Sequence, residues 1–217
     1  MYYKLTDAIK NVGVYPQVTG MNPEFDWQAF EKANREFNPL LNNSVPAPIT
    51  LPMRPGAKVT DALSVVNPSW PFLAVNERLL HFLQSVQADP LRVMPTTAVK
   101  KGVPYPYLLV AIDTRRPEYV DYQKSSFTIR DMEDIDSVPE EILIVNAQEY
   151  NSLLRQYGYS KYIQATKLVL KENVIQHDIF RLPHYATSRY LVSEKFREGI
   201  EREKITGLRF DPIESAV

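Results

Sequence analysis

Histidines and closely spaced aspartates are the side chains of this sequence that could carry out acid–base chemistry or bind a metal ion. The histidines are His81, His177 and His184, and none of them falls in an H-x-x-x-H or HExxH pattern. Asp113 and Asp121 suggest a carboxylate pair, but aspartates near turns are common. Cysteine is absent, which excludes disulfides, zinc–thiolate sites and thiol nucleophiles. We therefore predict no catalytic residue, no cofactor and no metal site.

The composition also argues against nucleic acid and membranes as direct partners. The 217 residues are 44% hydrophobic and 24% charged, with a net charge of −1, so no strong field attracts phosphate. The sequence contains no P-loop or glycine-rich dinucleotide turn, and it has only seven glycines. It shows no signal-peptide core and no apolar stretch of membrane-spanning length. We expect a cytoplasmic protein.

An acidic stretch, DMEDIDSVPEE, covers residues 131–141 and contains no basic residue. A solvated turn between two strands would explain it. It could also be a docking surface for a basic protein, in which case its charge would raise the association rate more than the affinity. Affinity would then need aromatic anchors. Tyr150 and Tyr157 fit the core face of a helix, whereas Tyr159 and Tyr162 follow the predicted helix end and fit an exposed contact.

Two segments, PFLAVNERLLHFLQ and SRYLVSEKFREGIE, repeat one pattern. In each, an apolar strand leads to a helix N-cap, at Asn76 and at Ser193, and a glutamate follows in the first turn. The segments LRVMP and LRFDP come after the helices and have the alternation of a half-buried strand ending at proline. The sequence thus predicts a pseudo-duplicated strand–helix–strand unit over residues 71–95 and 188–213.

The whole pattern predicts an α+β fold, a mostly antiparallel sheet with a few helices. Residues 1–60 form a proline-rich N-terminal segment packed on the body, and residues 61–217 form the main domain. Helical spacing predicts further helices over Asn22–Phe37 and Ala147–Gly158. We also expect a buried strand over Glu140–Asn146 and a strand over Val120–Arg130 with an irregularity at its serine pair.

The C-terminal region resembles a family of bacterial immunity proteins from polymorphic toxin systems. Its signature, an apolar residue then V-S-E, a helix and T-G-L-x-F-x-P, falls here on RYLVSEKFREGIEREKITGLRFDPI. The family also carries an aspartate followed four residues later by a serine on a strand, matched by Asp121 and Ser125. An IFRL strand precedes the last helix, matched by residues 179–182. The resemblance covers roughly residues 60–213.

The resemblance implies a non-enzymatic inhibitor that binds a cognate toxin, encoded nearby, in the cytoplasm. The acidic stretch and two tyrosines are then the predicted toxin-binding residues: Asp131, Glu133, Asp134, Asp136, Glu140, Glu141, Tyr159 and Tyr162. The positions of the family motifs fit structural roles: Asp121, Ser125, Phe180, Arg181, Ser193, Glu194, Gly207 and Phe210.

Two other classes of function stay open at this point. A hydrolase-like enzyme could use Asp113, Asp121 or His177, which would have to converge in a concave site with perturbed pKa values. A scaffold or adaptor could use the repeated unit for self-association, which predicts an oligomer at high concentration.

Overall fold

The computed structural model describes residues 1–19, 49–65, 72–112, 114–131, 138–157, 160–171, 175–183 and 190–213. These residues contain three helices: α1 (Glu77–Ser85), α2 (Ala147–Tyr157) and α3 (Glu194–Arg202). They also contain twelve strands: β1 (Tyr2–Asp7), β2 (Ile49–Pro52), β3 (Ala62–Leu63), β4 (Leu73–Val75), β5 (Leu91–Lys100), β6 (Val103–Ile112), β7 (Ser126–Asp131), β8 (Glu140–Ile142), β9 (Lys161–Lys167), β10 (Ile179–Arg181), β11 (Tyr190–Ser193) and β12 (Leu208–Pro212).

The strands form three sheets. Their orders are β2-β5-β6-β4-β3, β10-β11-β1-β12 and β8-β7-β9. The strands β2 and β5 are parallel, and the other pairings between the strands named above are antiparallel. The predicted α+β class with mostly antiparallel sheets is therefore confirmed.

The first two sheets contain the same arrangement of strands around a helix. The strands β4 and β5, joined through α1, flank the antiparallel β6, and β11 and β12, joined through α3, flank the antiparallel β1. Short hairpins, β3–β4 and β10–β11, precede the helices. Matching residues keep a separation of 117 positions, as between Asn76 and Ser193. This is a correspondence of geometry, and the duplication itself stays a prediction.

The helices α1 and α3 begin where the sequence predicts. The side chain of Asn76 accepts the amide of Leu79 at 3.0 Å, and Ser193 accepts that of Phe196 at 3.2 Å. Each cap satisfies an amide that has no partner inside its helix. Glu77 and Glu194 follow in the first turns.

The two helices meet in one core. Their buried faces carry Leu79, Phe82 and Leu83 in α1 and Phe196, Gly199 and Ile200 in α3. The rings of Phe82 and Phe196 pack edge to face with centroids 5.2 Å apart, a favoured aromatic geometry. Strand residues from both sheets, Leu5, Val75, Val110 and Val192 among them, complete this core.

The N-terminal part of the chain contributes strands to both of these sheets. The strand β1 pairs with β11 on one side and β12 on the other, and β2 pairs with β5. Ile49 and Leu51 of β2 are buried. The helix predicted over Asn22–Phe37 lies outside the described residues, and the domain boundary predicted at residue 60 stays a prediction.

Two predicted strands have different limits in the structure, whereas β5 covers the whole of LRVMPTTAVK, which its sequence also predicts as a strand. The strand β5 continues through Pro95 to Lys100, because β2 joins it only from Thr96 and the missing proline amide falls where β5 has one neighbour. Residues 121–125 form a turn, and β7 starts at Ser126 with a register shift at the predicted serine pair. The strand expected over Glu140–Asn146 ends at Ile142, and it lies at a sheet edge.

Candidate functional site

The hairpin β7–β8 carries the described part of the predicted acidic surface. Asp131 is the last residue of β7, and Glu140 and Glu141 open β8, where both are exposed. The structure therefore places these three carboxylates at one end and one edge of the third sheet. The remaining predicted toxin-binding residues of this region lie outside the described residues: Glu133, Asp134, Asp136 and Tyr159.

One face of the third sheet brings Glu141 and Tyr162 together. Thr128 of β7 lies opposite both Glu141 and Gln164, and Arg130, two residues along, lies opposite Tyr162. Residues directly opposite each other, or two apart on a strand, share a face of the sheet. Tyr162 is 38% exposed on this outer face. The other face is buried and carries Phe127, Ile129 and Ile163.

Exposed apolar side chains border β8 on both sides, which the sequence reasoning missed. Val138 is 89% exposed, Leu143 76% and Val145 50%, whereas Ile144 between the last two is fully buried. The run from Ile142 to Val145 is uniformly apolar, so its pattern favoured a buried strand. Sheet pairing stops at Ile142, and in the residues that follow Ile144 faces the core while Leu143 and Val145 face solvent.

The start of α2 holds this exposed segment in place. The Asn146 side chain accepts the Glu149 amide at 2.9 Å, and Glu149 Oε2 accepts the Val145 amide at 2.7 Å. This reciprocal pair is close to a capping box and satisfies two free amides. Tyr150, one residue later, is buried in the core beneath the third sheet. Leu143 and Val145 are therefore presented on an ordered backbone.

A buried aspartate stabilises the N-cap of each repeated helix, and this too was missed. Asn76 Nδ2 donates to Asp61 at 2.9 Å, and Ser193 Oγ donates to Asp178 at 2.8 Å. In both pairs the cap amide also donates to the aspartate carbonyl, at 2.8 and 2.9 Å. A possible signal was present, because each aspartate stands fifteen positions before its cap.

The carboxylates of Asp61 and Asp178 are kept in the charged form. Burial raises the pKa of Asp61, but hydrogen bonds from Thr206 and Asn76 and the nearby Arg78 outweigh it, so the pKa lies below its ordinary value. Burial likewise opposes ionisation of Asp178, and hydrogen bonds from Ser193 and Lys195 lower its pKa overall. These pKa shifts are explained by helix capping, which is a structural role.

Glu194, a family-motif residue, joins α3 to the N-terminal strand. Its carboxylate accepts hydrogen bonds from the Tyr3 hydroxyl and from Arg197 Nε, the latter at 2.9 Å. The hydrogen bond from Tyr3, followed by that from Arg197, lowers the pKa of Glu194. The same contact with Glu194 raises the pKa of the Tyr3 hydroxyl. Arg197 also bridges to Glu201 at 2.7 Å.

Asp121 and Ser125 shape a turn, whereas the family resemblance led us to expect them on a strand. The Ser125 amide donates to the Asp121 carbonyl at 3.0 Å, which closes the turn before β7. The Asp121 amide donates to the Val169 carbonyl at 2.9 Å, and the Val169 amide donates to Ser125 Oγ at 3.0 Å. The pair thereby ties the start of β7 to the residues that follow β9.

The remaining family-motif residues lie in or beside the core. Phe180 is fully buried and packs edge to face on Tyr2 and Tyr119. Arg181 is also buried, and its Nη1 donates to the Ile112 carbonyl at 3.1 Å. Phe210 of β12 packs edge to face against Tyr3 and Phe196. The assignment of these positions as purely structural stays a prediction.

Gly207 stands where the two repeated units touch. It adopts φ +94°, and a Cβ built on it would lie 2.0 Å from the carbonyl oxygen of Ala62. Both the left-handed backbone and this close approach require glycine.

His177 and Asp121, which a hydrolase-like enzyme could use, contact different residues. His177 Nδ1 lies 2.6 Å from the Tyr119 hydroxyl, and its Nε2 lies 3.6 Å from the buried Asp89, which also binds Arg116. Asp121 instead faces Lys124 at 3.9 Å. Asp113 and His184 lie outside the described residues. His81 is an exposed residue of α1.

Among the described residues, no group of three or more histidine, aspartate or glutamate side chains is arranged to hold a metal ion. None of the helices in the described ranges has the length and apolar character needed to cross a membrane.

Comparison with known proteins places the chain in a family. The model of the immunity protein family Imm11 matches residues 8–215. The chain belongs to the Imm11 immunity protein family. No sequence among curated proteins matches it. Membership in Imm11 indicates an immunity function against toxins and a toxin as the binding partner.

Proposed function

We propose that this Imm11 chain binds a cognate secreted bacterial toxin in the cytoplasm and neutralises it by complex formation, without catalysing a reaction itself. The observation that carries the proposal is the family match over residues 8–215, nearly the whole chain. The toxin is encoded beside the gene for this chain, so that producing cells and their kin are protected.

The acidic residues at the β8 edge of the third sheet support a basic partner surface, whereas the basic residues Arg130, Lys161 and Lys167 lie on β7 and β9. Asp131, Glu140 and Glu141 lie at the end and edge of this sheet, and Glu140 and Glu141 are exposed. A toxin that acts on nucleic acid needs positive charge to hold its substrate, and an acidic inhibitor can mask that charge. Such charge pairs raise the association rate more than the affinity. The acidic residues therefore steer the toxin toward the β8 edge of the sheet.

Inhibition by binding and inhibition by catalysis differ in stoichiometry. We would titrate the active toxin domain with the purified chain and measure residual toxin activity on its substrate. Binding predicts that activity falls linearly and reaches zero near one equivalent. Loss of activity at a small fraction of one equivalent, increasing with time, would indicate an enzyme and contradict the proposal.

A direct binding test completes the experiment. The toxin domain, with its catalytic residue substituted, is mixed with the chain and analysed by size exclusion with light scattering. We expect a 1:1 complex, and we expect co-expression of the chain to restore growth of a bacterial host that produces the active toxin. A toxin domain from an unrelated system is the control. Two folded proteins that form no complex, with no protection in the host, would refute the proposed function.

A further inference from the structure

Residues 138–145, here called the β8 segment, carry large apolar side chains that are exposed to solvent. Three large apolar side chains, Val138, Leu143 and Val145, are half or more exposed within these eight residues. Glu140 and Glu141 lie between them in sequence and are exposed as well. Single exposed apolar residues need no explanation, but a group with a polar border is typical of a protein-binding surface.

The β8 segment belongs to the part of the chain that has no counterpart in the repeated units. The two units pack their helices against each other and bury those faces in a common core. The third sheet buries Phe127, Ile129 and Ile163 on one face, and its other face carries the polar residues Thr128, Arg130 and Gln164 and the 38% exposed Tyr162. The β8 segment therefore lies at the edge of a sheet with one exposed face.

Neighbouring contacts fix the backbone of the β8 segment. Ile144 is fully buried between Leu143 and Val145, and the Val145 amide donates to Glu149. Three residues of the segment pair with β7. A partner binding here meets side chains that are already positioned, which lowers the entropy lost on association.

Charge indicates what kind of partner fits this surface. The charged residues of β8 itself are Glu140 and Glu141, and both are exposed, whereas the basic residues Arg130 and Lys161 lie on the other two strands of the sheet. A second copy of this chain would bring the same negative charge to the contact, and like charges at an interface are unfavourable. A surface that combines apolar side chains with lysine or arginine complements the segment.

We infer that Val138, Leu143 and Val145 are the apolar contacts of the toxin-binding surface on the two sides of β8, with Glu140 and Glu141 between them as its acidic contacts. The matching surface on the toxin combines apolar side chains with basic ones. The apolar contacts determine how long the complex lasts, and the charges of Glu140 and Glu141 determine how fast it forms. This inference rests on the proposed function and names the surface through which it works.

The test measures binding kinetics with the catalytically substituted toxin domain encoded beside the gene for this chain. Leu143→Ser should raise Kd by about tenfold or more, mainly through faster dissociation. Val145→Ser and Val138→Ser should act in the same direction. The matched control is Val103→Ser, because Val103 is a valine exposed to the same 50% as Val145 but lies in the β5–β6 hairpin.

The acidic contacts Glu140 and Glu141 are tested by their own variant. Glu140→Gln combined with Glu141→Gln should slow association several-fold at low salt and reduce its salt dependence, with little change in dissociation. Glu77→Gln is the matched control, because the Glu77 side chain is exposed and lies at the start of α1. Thermal unfolding of every variant should match that of the unsubstituted chain, since each altered side chain faces solvent.

Each outcome decides one of the two proposals. Weaker binding by the β8-segment variants, with normal binding by both controls, supports the inference. Unchanged kinetics for all β8-segment variants would overturn the inference and leave the proposed function standing, because the unsubstituted chain still binds. No complex with the unsubstituted chain would remove both. Loss of a concentration-dependent dimer in the variants, with toxin binding intact, would also overturn it by showing that a second copy occupies the surface.

Discussion

The two sheets with their helices α1 and α3, here called the first and second units, share a strand order and a helix cap, but the glutamate after the cap makes different contacts in each. In the second unit Glu194 binds Tyr3 of β1 and Arg197 of its own helix. At the matching positions the first unit has Leu108 of β6 and Leu80 of α1, both packed against the shared core. Glu77 therefore has no tyrosine or arginine at these positions, and its side chain is 82% exposed.

Both units have the helix cap, the aspartate that binds it and a strand between two flanking strands, and we call these shared parts the framework. At the positions beside the glutamate, the first unit has apolar residues and the second has polar contacts on the same framework. Each aspartate also touches the other unit: the Thr206 amide donates to Asp61 at 2.7 Å, and the Gln87 amide donates to Asp178 at 3.2 Å. Substitutions can therefore distinguish the contacts that stabilise both units from the contact that only the second unit has.

The largest effect is expected where the second unit touches the first. Gly207→Ala should lower the free energy of unfolding by about 3 kcal/mol or more, because the new Cβ would lie 2.0 Å from the Ala62 carbonyl oxygen. The control is Gly102→Ala, since Gly102 also has positive φ but has no neighbour within 4 Å of a built Cβ. It should cost only about 1 kcal/mol of backbone strain. Denaturant unfolding measures both, and equal losses would contradict the contact.

The next effect concerns the contact of the two helices, where Phe82 and Gly199 occupy matching positions. A Cβ on Gly199 would lie 2.8 Å from the Phe82 ring, so Gly199→Ala should destabilise the fold by about 1 to 2 kcal/mol. In an ordinary helix the same substitution stabilises by about 1 kcal/mol.

A double-mutant cycle identifies the ring as the cause. With Phe82→Leu as the background, Gly199→Ala should lose its penalty, because the shorter side chain leaves room for a methyl group. An unchanged penalty in that background would show that something other than Phe82 limits the space at Gly199.

Low pH should lower the free energy of unfolding by weakening the aspartate–cap contacts of both units. The pKa values of Asp61 and Asp178 lie below the ordinary 3.8, so the unfolded chain takes up these protons first as pH falls. Their stabilisation is complete above about pH 3.8 and is lost as pH falls through the lower pKa of the folded state. Near neutral pH, Asp61→Asn should cost about 1 kcal/mol.

Unfolding free energies measured from pH 6 to pH 2 test this linkage. The steepness of the acid loss should decrease in Asp61→Asn, decrease in Asp178→Asn, and decrease further in the double variant. An acid slope identical to that of the unsubstituted chain in all three variants would show that other carboxylates control the loss.

Local features of the fold could be predicted from the sequence, because they depend on neighbouring residues. The caps Asn76 and Ser193 and the helices after them follow from short patterns. The position of β1 between β11 and β12 could not be predicted, since it depends on residues near the opposite end of the chain. Asp61 and Asp178 were missed because neither aspartate alone indicates the cap that it supports, and only the equal spacing of fifteen positions in the two pairs is a signal.

The candidate surface was predictable in its charge and not in its apolar part. The acidic run was visible in the sequence, and the described residues Glu140, Glu141 and Tyr162 are exposed. The apolar run before Asn146 could form a strand with either alternate set facing inward. The sheet edge at β8 and the start of α2 decide that Ile144 is buried and that Leu143 and Val145 are not. Contact of these residues with a toxin stays a prediction.

The smallest effect isolates the polar contact that only the second unit has. Glu194→Gln should lower the melting temperature slightly, because the amide loses the charge that strengthens the hydrogen bonds from Tyr3 and Arg197. Glu77→Gln at the matching position should leave it unchanged, apart from the minor effect of the helix dipole. Tyr3→Phe should reproduce most of the Glu194→Gln shift and add little to it in the double variant. Equal shifts for Glu77→Gln and Glu194→Gln would mean that the dipole alone accounts for both glutamates, and that the contact with β1 contributes nothing.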